Sequence, residues 1–232
     1  MWQDGGMPEI SIVHEDRDYY VIDKPAGLAV QGGAGIKRSL IEVLEAQTGA
    51  PVYLVHRLDR DTSGLLLIAR DARSAHRWTS LFADGKGQVL RKRYLAACAG
   101  AFSKDSGHID EPVRVRGVVR QARTSWRCLA TEGDVSLLEL ELGTGRMHQI
   151  RIHLQKAGHP ILGDDKYGDF PLNRHLRKEK GLKNLLLHAW RLDIALEGAP
   201  PLSLEAPLPS SFSRVLSPET LSRLGLLQSP LC

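Results

Sequence analysis

Residues 55–67 read VHRLDRDTSGLLL, two carboxylates interleaved with two arginines and followed at once by an apolar run. That run, continued as GLLLIAR over residues 64–70, has the length and unbroken apolar character of a buried strand. The acids therefore stand at the entrance to a sheet. Asp61-Thr62-Ser63-Gly64 is ordinary turn chemistry, in which side-chain oxygens accept from nearby backbone N–H groups. Asp59 admits the same reading, and the residues alone leave open whether it shapes the turn or does chemistry. Asp59 and Asp61 are sequence neighbours, which rarely supply the separation of about 5 Å or more that paired glycosidase acids need across a sugar.

Upstream of this stretch, residues 10–14 (ISIVH) and 19–25 (YYVIDKP) read as two strands around an EDRD turn. The loop QGGAGIKRS (31–39) has neither the GxGxxG spacing nor the terminal GK[ST] of a phosphate cradle, and reads as a flexible connection. Ser39 with Glu42 forms a capping box for a helix to about Ala46. Downstream, Asp71 caps an amphipathic helix closed by Gly85. Strands are expected at residues 93–99, 124–130, 135–142, 185–196 and 201–207, and Ser217-Pro218 opens a last helix. Strands outnumber helices without regular βαβ alternation, which predicts an α+β fold, a mixed and mostly antiparallel sheet flanked by helices.

Two polar segments stand apart. In RMHQIRIHLQKAG (146–158), Met147, Ile150 and Leu154 recur at helical spacing and Gly158 ends the helix, which places His148 and Arg151 on one polar face. His148 and His153 are five apart, not the four of a metal-binding helix pair, so no metal is expected. An arginine at position 151 facing an aspartate would lower that acid's pKa and fix its geometry. The second segment, GDFPLNRHLRKEKGLKN (168–184), reads as an extended polar loop carrying Arg174, Arg177, Lys178, Lys180 and Lys183, a cluster suited to a polyanion.

The 232 residues are 42% hydrophobic and 25% charged, enough apolar mass for a core in one large domain or two packed halves. Lys and Arg number 31 against 27 Asp and Glu, a net charge of +4 that leans towards an acidic partner. The three cysteines, Cys98, Cys128 and Cys232, form no close pair, as expected of a reducing cytoplasm. The opening MWQDGGMPEI lacks the basic flank and apolar core of a signal peptide, and no apolar run reaches membrane-spanning length, so no membrane partner is expected.

Five blocks, HRLDRDTSG, KRYLA, GRMHQIRIH, GHPILGDDKYGD and LLLHA, occur in an order that resembles the RluA-class pseudouridine synthases. The likeness runs from about residue 12 to residue 209 and is nearest the RluC subgroup. It implies the pseudouridine synthase catalytic fold over residues 1–232, with a cleft across the middle of the sheet; in a departure from RluC-like enzymes, which usually carry an N-terminal S4 RNA-binding domain, none is expected here. It further implies that Asp59 is the catalytic aspartate, Arg151 its ion-pair partner and Tyr94 the ring stacked on the target base. Arg57 would lie beside the extruded nucleotide, and His148, Gln149, Arg174, Arg177 and Lys178 would contact RNA. The substrate would be large-subunit ribosomal RNA, with transfer RNA as the alternative, acted on by a cytoplasmic monomer without a cofactor. The segment VVRQARTSWRC (118–128) departs from the family's usual GKxAxT pattern while keeping Thr124. A non-catalytic RNA-binding module of the same fold would have no need to keep Asp59, Arg151 and Tyr94 together.

Overall fold

The apolar run after the HRLD turn forms a strand, Ser63–Ala69, buried along its whole length. The computed structural model describes residues 9–83, 90–115 and 117–227; Gly85, Cys232 and the first eight residues lie outside them. In chain order the first elements are β1 (Ser11–Glu15), β2 (Tyr19–Lys24), α1 (Leu40–Thr48), β3 (Tyr53–Leu54), β4 (Ser63–Ala69) and α2 (Ala72–Ala83). There follow β5 (Leu90–Ala99), β6 (Ser106–Asp110), β7 (Val113–Val115), β8 (Val118–Arg120), β9 (Arg123–Glu132) and β10 (Val135–Leu142). The chain continues through α3 (Gln149–Lys156), α4 (Phe170–Lys180), β11 (Leu187–Ile194), β12 (Leu202–Glu205) and α5 (Pro218–Arg223). The described residues of Met1–Arg91 and Arg191–Ala206 form one compact unit, and those of Lys92–Trp190 and Pro207–Cys232 a second.

In the first unit β2 pairs antiparallel with both β1 and β4, in a register that sets Tyr19 against Ala69 and Lys24 against Gly64. Because side chains alternate across a strand, Tyr19 and Val21 share a face with Leu65, Leu67 and Ala69. With Leu192, Ile194 and Trp78 of α2 they make the buried core, where the Tyr19 and Trp78 rings meet edge-on at 5.1 Å. The expected caps form: Ser39 and Glu42 close a capping box on α1, and the Asp71 carboxylate accepts from the Ser74 N–H at 2.7 Å to start α2.

In the second unit β10 lies between β5 and β9, with β6 on the far side of β9, all antiparallel. β7 and β8 form a separate two-stranded hairpin. The mostly antiparallel α+β architecture is the one expected, but two local readings need correction. Residues 168–184 are not an extended loop. They hold α4, capped by the Asp169 carboxylate accepting from Leu172 N–H at 2.9 Å, with proline in its first turn and Gly181 left-handed (φ 63°) at its end. Only Asn173 and Leu176 of that helix are buried, so its polar sequence carries almost no apolar period. Secondly, His148 does not belong to the helix of Arg151. It is the N-cap of α3 with φ 55°, so the two residues do not share a helix face. No helix of the described residues is long and apolar enough to cross a membrane.

Candidate active site

The HRLD loop links β3 to β4 and is pinned at several backbone points. His56 accepts the Leu67 N–H on Nε2 at 3.1 Å, and Leu58 is buried between its exposed neighbour Arg57 and the half-buried Asp59. Gly27 N–H donates to the Arg60 carbonyl at 2.9 Å, and the Arg60 Nε–H donates back to the Gly27 carbonyl at 3.1 Å. Asp59 thus sits on a backbone whose direction is set on both sides. Asp61 is exposed beside Arg60, while Thr62 and Ser63 are buried where β4 begins.

Beneath this loop lies Lys24, fully buried, a residue that sequence reading took only as the end of a strand. Its ammonium donates to the carbonyls of Pro25, Leu28 and Arg60, each at 2.9 Å. Three acceptors use three N–H donors, which the protonated form alone supplies. Burial pushes its pKa down to about 7, and the carboxylates of Asp61, Asp59 and Asp23 pull against that fall. Burial also raises Asp23 to about 6, partly offset by Lys24. The signal that could have flagged Lys24 is its place next to Pro25 and Gly27 at the end of an otherwise apolar strand.

In the second unit Arg151 is buried and makes a bidentate pair with the buried Asp164, Nε to Oδ2 and Nη2 to Oδ1, both at 2.8 Å. Asp164 also accepts the N–H groups of Lys166 and Tyr167 at 2.9 Å each. Burial opposes ionisation of Asp164, but the hydrogen bonds from Arg151, Tyr167 and Lys166 hold its pKa below the ordinary carboxylate value. Tyr167 then gathers two residues expected at the site: its hydroxyl lies 2.9 Å from His148 Nδ1, and its ring lies 5.2 Å from the Arg151 guanidinium carbon. Asn173 of α4 donates to the Asp164 carbonyl and accepts the Gly163 N–H, both at 2.9 Å, which fastens α4 to the same pair. Sequence reading missed Asp164 and Tyr167 as site residues although both lie in the GDDKYGD block.

Tyr94 lies buried on β5, opposite Leu140 of β10. Arg174, Arg177 and Lys178 are exposed and, at i, i+3 and i+4, share one face of α4 away from Asn173 and Leu176. Gln149, expected at the RNA, is turned inward. It is buried, its Nε2 donates to the Arg123 carbonyl and to Thr124 Oγ1, and its Oε1 accepts from Thr144 and from Arg146 N–H. The donors continue in order. His153 Nε2 lies 2.9 Å from the Glu111 carbonyl, which can only accept, so Nδ1 accepts the Thr124 hydroxyl at 2.9 Å. Thr124, kept where the surrounding pattern departs, therefore ties α3 to β9 from within.

Residues 18–156 match the family model described as RNA pseudouridylate synthase. The chain is 37% identical over 221 residues to the ribosomal large subunit pseudouridine synthase C of Salmonella typhimurium, covering 88% of this chain and 68% of that one. The Vibrio vulnificus protein of the same name is 34% identical, with 91% and 70% covered. Among solved structures, human RNA pseudouridylate synthase domain containing 4 superposes with a TM-score of 0.73 at 31% identity, covering 94% of each chain. Human RNA pseudouridylate synthase domain containing 1 shares the fold at a TM-score of 0.74 and 24% identity, over 99% of this chain and all of that one. Sequence and fold agree: the chain belongs to the RNA pseudouridylate synthase family, in its RluA class.

Proposed function

We propose that this RNA pseudouridine synthase acts on uridine in large-subunit ribosomal RNA, in the cytoplasm, with Asp59 as its catalytic carboxylate. The identity to proteins named large-subunit ribosomal synthases, over most of both chains, supports the substrate. The observation that carries the catalytic assignment is the half-buried Asp59 on a loop held by Lys24 through the Arg60 carbonyl. A carboxylate mounted this way loses little freedom when substrate arrives.

The reaction breaks the N1–C1′ bond, turns the uracil and closes a C5–C1′ bond, while the proton of C5 is lost and N1 gains one; nothing is oxidised. Asp59 serves either by adding to C1′ or by taking the C2′ proton. The target base first leaves its stack, at a cost of a few kcal/mol. Stacking on Tyr94 offsets part of this, about 1–3 kcal/mol for a base–aromatic contact. As the family resemblance implies, Arg151 serves as the ion-pair partner of Asp59, a permanently charged group suited to fixing a carboxylate's geometry. Arg57 and His148 attend the nucleotide, and Arg174, Arg177 and Lys178 contact phosphates without reading sequence.

The test is Asp59→Asn, assayed on large-subunit ribosomal RNA transcripts by carbodiimide-blocked primer extension. Isomerisation is lost while RNA affinity stays within about tenfold, because the carboxylate acts mainly in the transition state. Turnover by Asp59→Asn equal to that of the unaltered protein refutes the assignment. Turnover of transfer RNA transcripts and not of ribosomal ones overturns the substrate.

A further inference from the structure

We propose that Phe170, at the head of α4, is a stacking platform for an unpaired purine nucleotide of the RNA substrate, with the phosphate of that nucleotide on Arg174. The inference rests on the RNA substrate of the proposed function and adds to it a residue that selects which strand is accepted. Phe170 is 52% exposed and enters no ring contact among the described residues. A lone exposed apolar side chain calls for no explanation, but this one stands at the head of a basic stripe. Arg174, Arg177 and Lys178 follow it at i+4, i+7 and i+8, all exposed, while Asn173 and Leu176 turn inward. Arg177 is engaged by Asp165 at 3.1 Å and Lys178 by Glu179 at 3.5 Å, whereas Arg174 holds no ion pair among the described residues. The guanidinium left open is thus the one a single helical turn from the ring.

The ring stands on a fixed mount. Asp169 accepts the Leu172 N–H at 2.9 Å, Pro171 sits in the first turn, and Asn173 is held by the Gly163 N–H and the Asp164 carbonyl, both at 2.9 Å. A backbone ordered in this way has little freedom left to lose when a base settles on the ring. The same Asp164 grips Arg151 through two bonds of 2.8 Å, so one residue ties the helix of Phe170 to the arginine proposed to serve Asp59.

Three occupants compete for this surface, and chemistry separates them. A protein partner favours a patch whose centre is depleted of charge, whereas this ring is bordered by three cations. A duplex keeps its base faces inside its own stack and presents grooves and phosphates, which give the ring nothing to cover. A single strand offers a base face and a phosphate side by side, which an aromatic ring next to basic groups receives. The flipped uridine is assigned to Tyr94, so the base on Phe170 is another nucleotide of the strand. Stacking strength sets a modest sequence preference, and a purine covers more of the ring than a pyrimidine does.

The experiment compares Phe170→Ala, Phe170→Tyr and Arg174→Ala with the unaltered protein. The probes are single-stranded oligoadenylate, oligouridylate and a mixed-sequence RNA duplex of equal length, titrated over a range of salt. The unaltered protein binds oligoadenylate more tightly than oligouridylate. Phe170→Ala keeps α4, since alanine is the strongest helix former, and loses about tenfold in affinity for oligoadenylate with its salt slope unchanged. Its loss on oligouridylate is smaller, and its duplex affinity holds. Phe170→Tyr retains the ring and the preference for adenylate. Arg174→Ala weakens both single strands, and its slope of log K against log salt falls by about 0.7. Unchanged oligoadenylate affinity in Phe170→Ala, or an equal loss on the duplex, overturns the proposal. Self-association of the unaltered protein that Phe170→Ala abolishes, with RNA affinity unchanged, gives the ring to a second copy of this chain and overturns it as well. A protein that binds oligoadenylate as described but makes no pseudouridine leaves the stacking platform standing and removes only the proposed reaction.

Discussion

Arg151 grips Asp164 through two parallel hydrogen bonds of 2.8 Å, and both side chains are buried. The guanidinium proposed to serve Asp59 is thereby aimed by a second carboxylate that also accepts two backbone N–H groups. Its direction is set before any substrate arrives, as an ion pair in a dry site requires.

Asp164→Ala removes the bidentate acceptor of a buried guanidinium and costs about 3–5 kcal/mol of stability. The folded pKa of Asp164 lies below its unfolded value, so the contribution is present above about pH 3.9 and is lost as pH falls through the folded pKa. Chemical denaturation of both proteins from neutral to acid pH checks this: the gap between them narrows only at the acid end.

Lys24→Met removes the donor shared by the carbonyls of Pro25, Leu28 and Arg60. A carbonyl left buried without a donor costs about 1–3 kcal/mol, and the loop under Asp59 loses its anchor. Turnover falls by tenfold or more while RNA affinity changes by less than about threefold, because the loss is in positioning. Lys24→Arg does not restore turnover, since a planar fork cannot address three carbonyls converging on one ammonium. Single-turnover assays with filter binding separate the two effects.

His153 is held neutral, its pKa lowered first by burial. Below about pH 6.5 the unfolded chain takes up a proton that the folded chain resists. Stability therefore falls as pH drops from about 6.5 towards the folded pKa. His153→Gln, uncharged throughout, is less stable at neutral pH but shows a shallower slope across this window, read by urea midpoints at a series of pH values.

Arg174→Ala/Arg177→Ala/Lys178→Ala leaves α4 intact, because alanine is the strongest helix former and the exposed Arg177–Asp165 pair contributes little. RNA binding weakens and its salt slope falls by about 2, for three phosphate contacts at about 0.7 each. Circular dichroism confirms the helix, and binding isotherms at several salt concentrations give the slope.

Most strands and the first two caps were legible because their causes are local. β4 follows from an apolar run next to a turn, and α1 from Ser39 and Glu42 three residues apart. α4 was not legible, since only Asn173 and Leu176 face inward and the helix is fastened by contacts of Asn173 with Gly163 and Asp164. The error at His148 has a similar origin: Met147, Ile150 and Leu154 keep a helical spacing, yet the helix begins at Gln149, after a left-handed N-cap.

By itself the sequence determined the α+β class and the family, and it supplied the residues proposed for the chemistry, Asp59, Arg151 and Tyr94 among them. These depend on residue type, order and periodicity, which a linear chain displays. Only the tertiary structure decided that Lys24 supports the HRLD loop, that Asp164 orients Arg151, and that Gln149 and Thr124 work inside the molecule. The reason is physical. A buried polar group is defined by the partners that satisfy it, and those partners lie 13 residues away for Arg151, 25 for Gln149 and 36 for Lys24. No spacing rule along the chain encodes such separations; folding does.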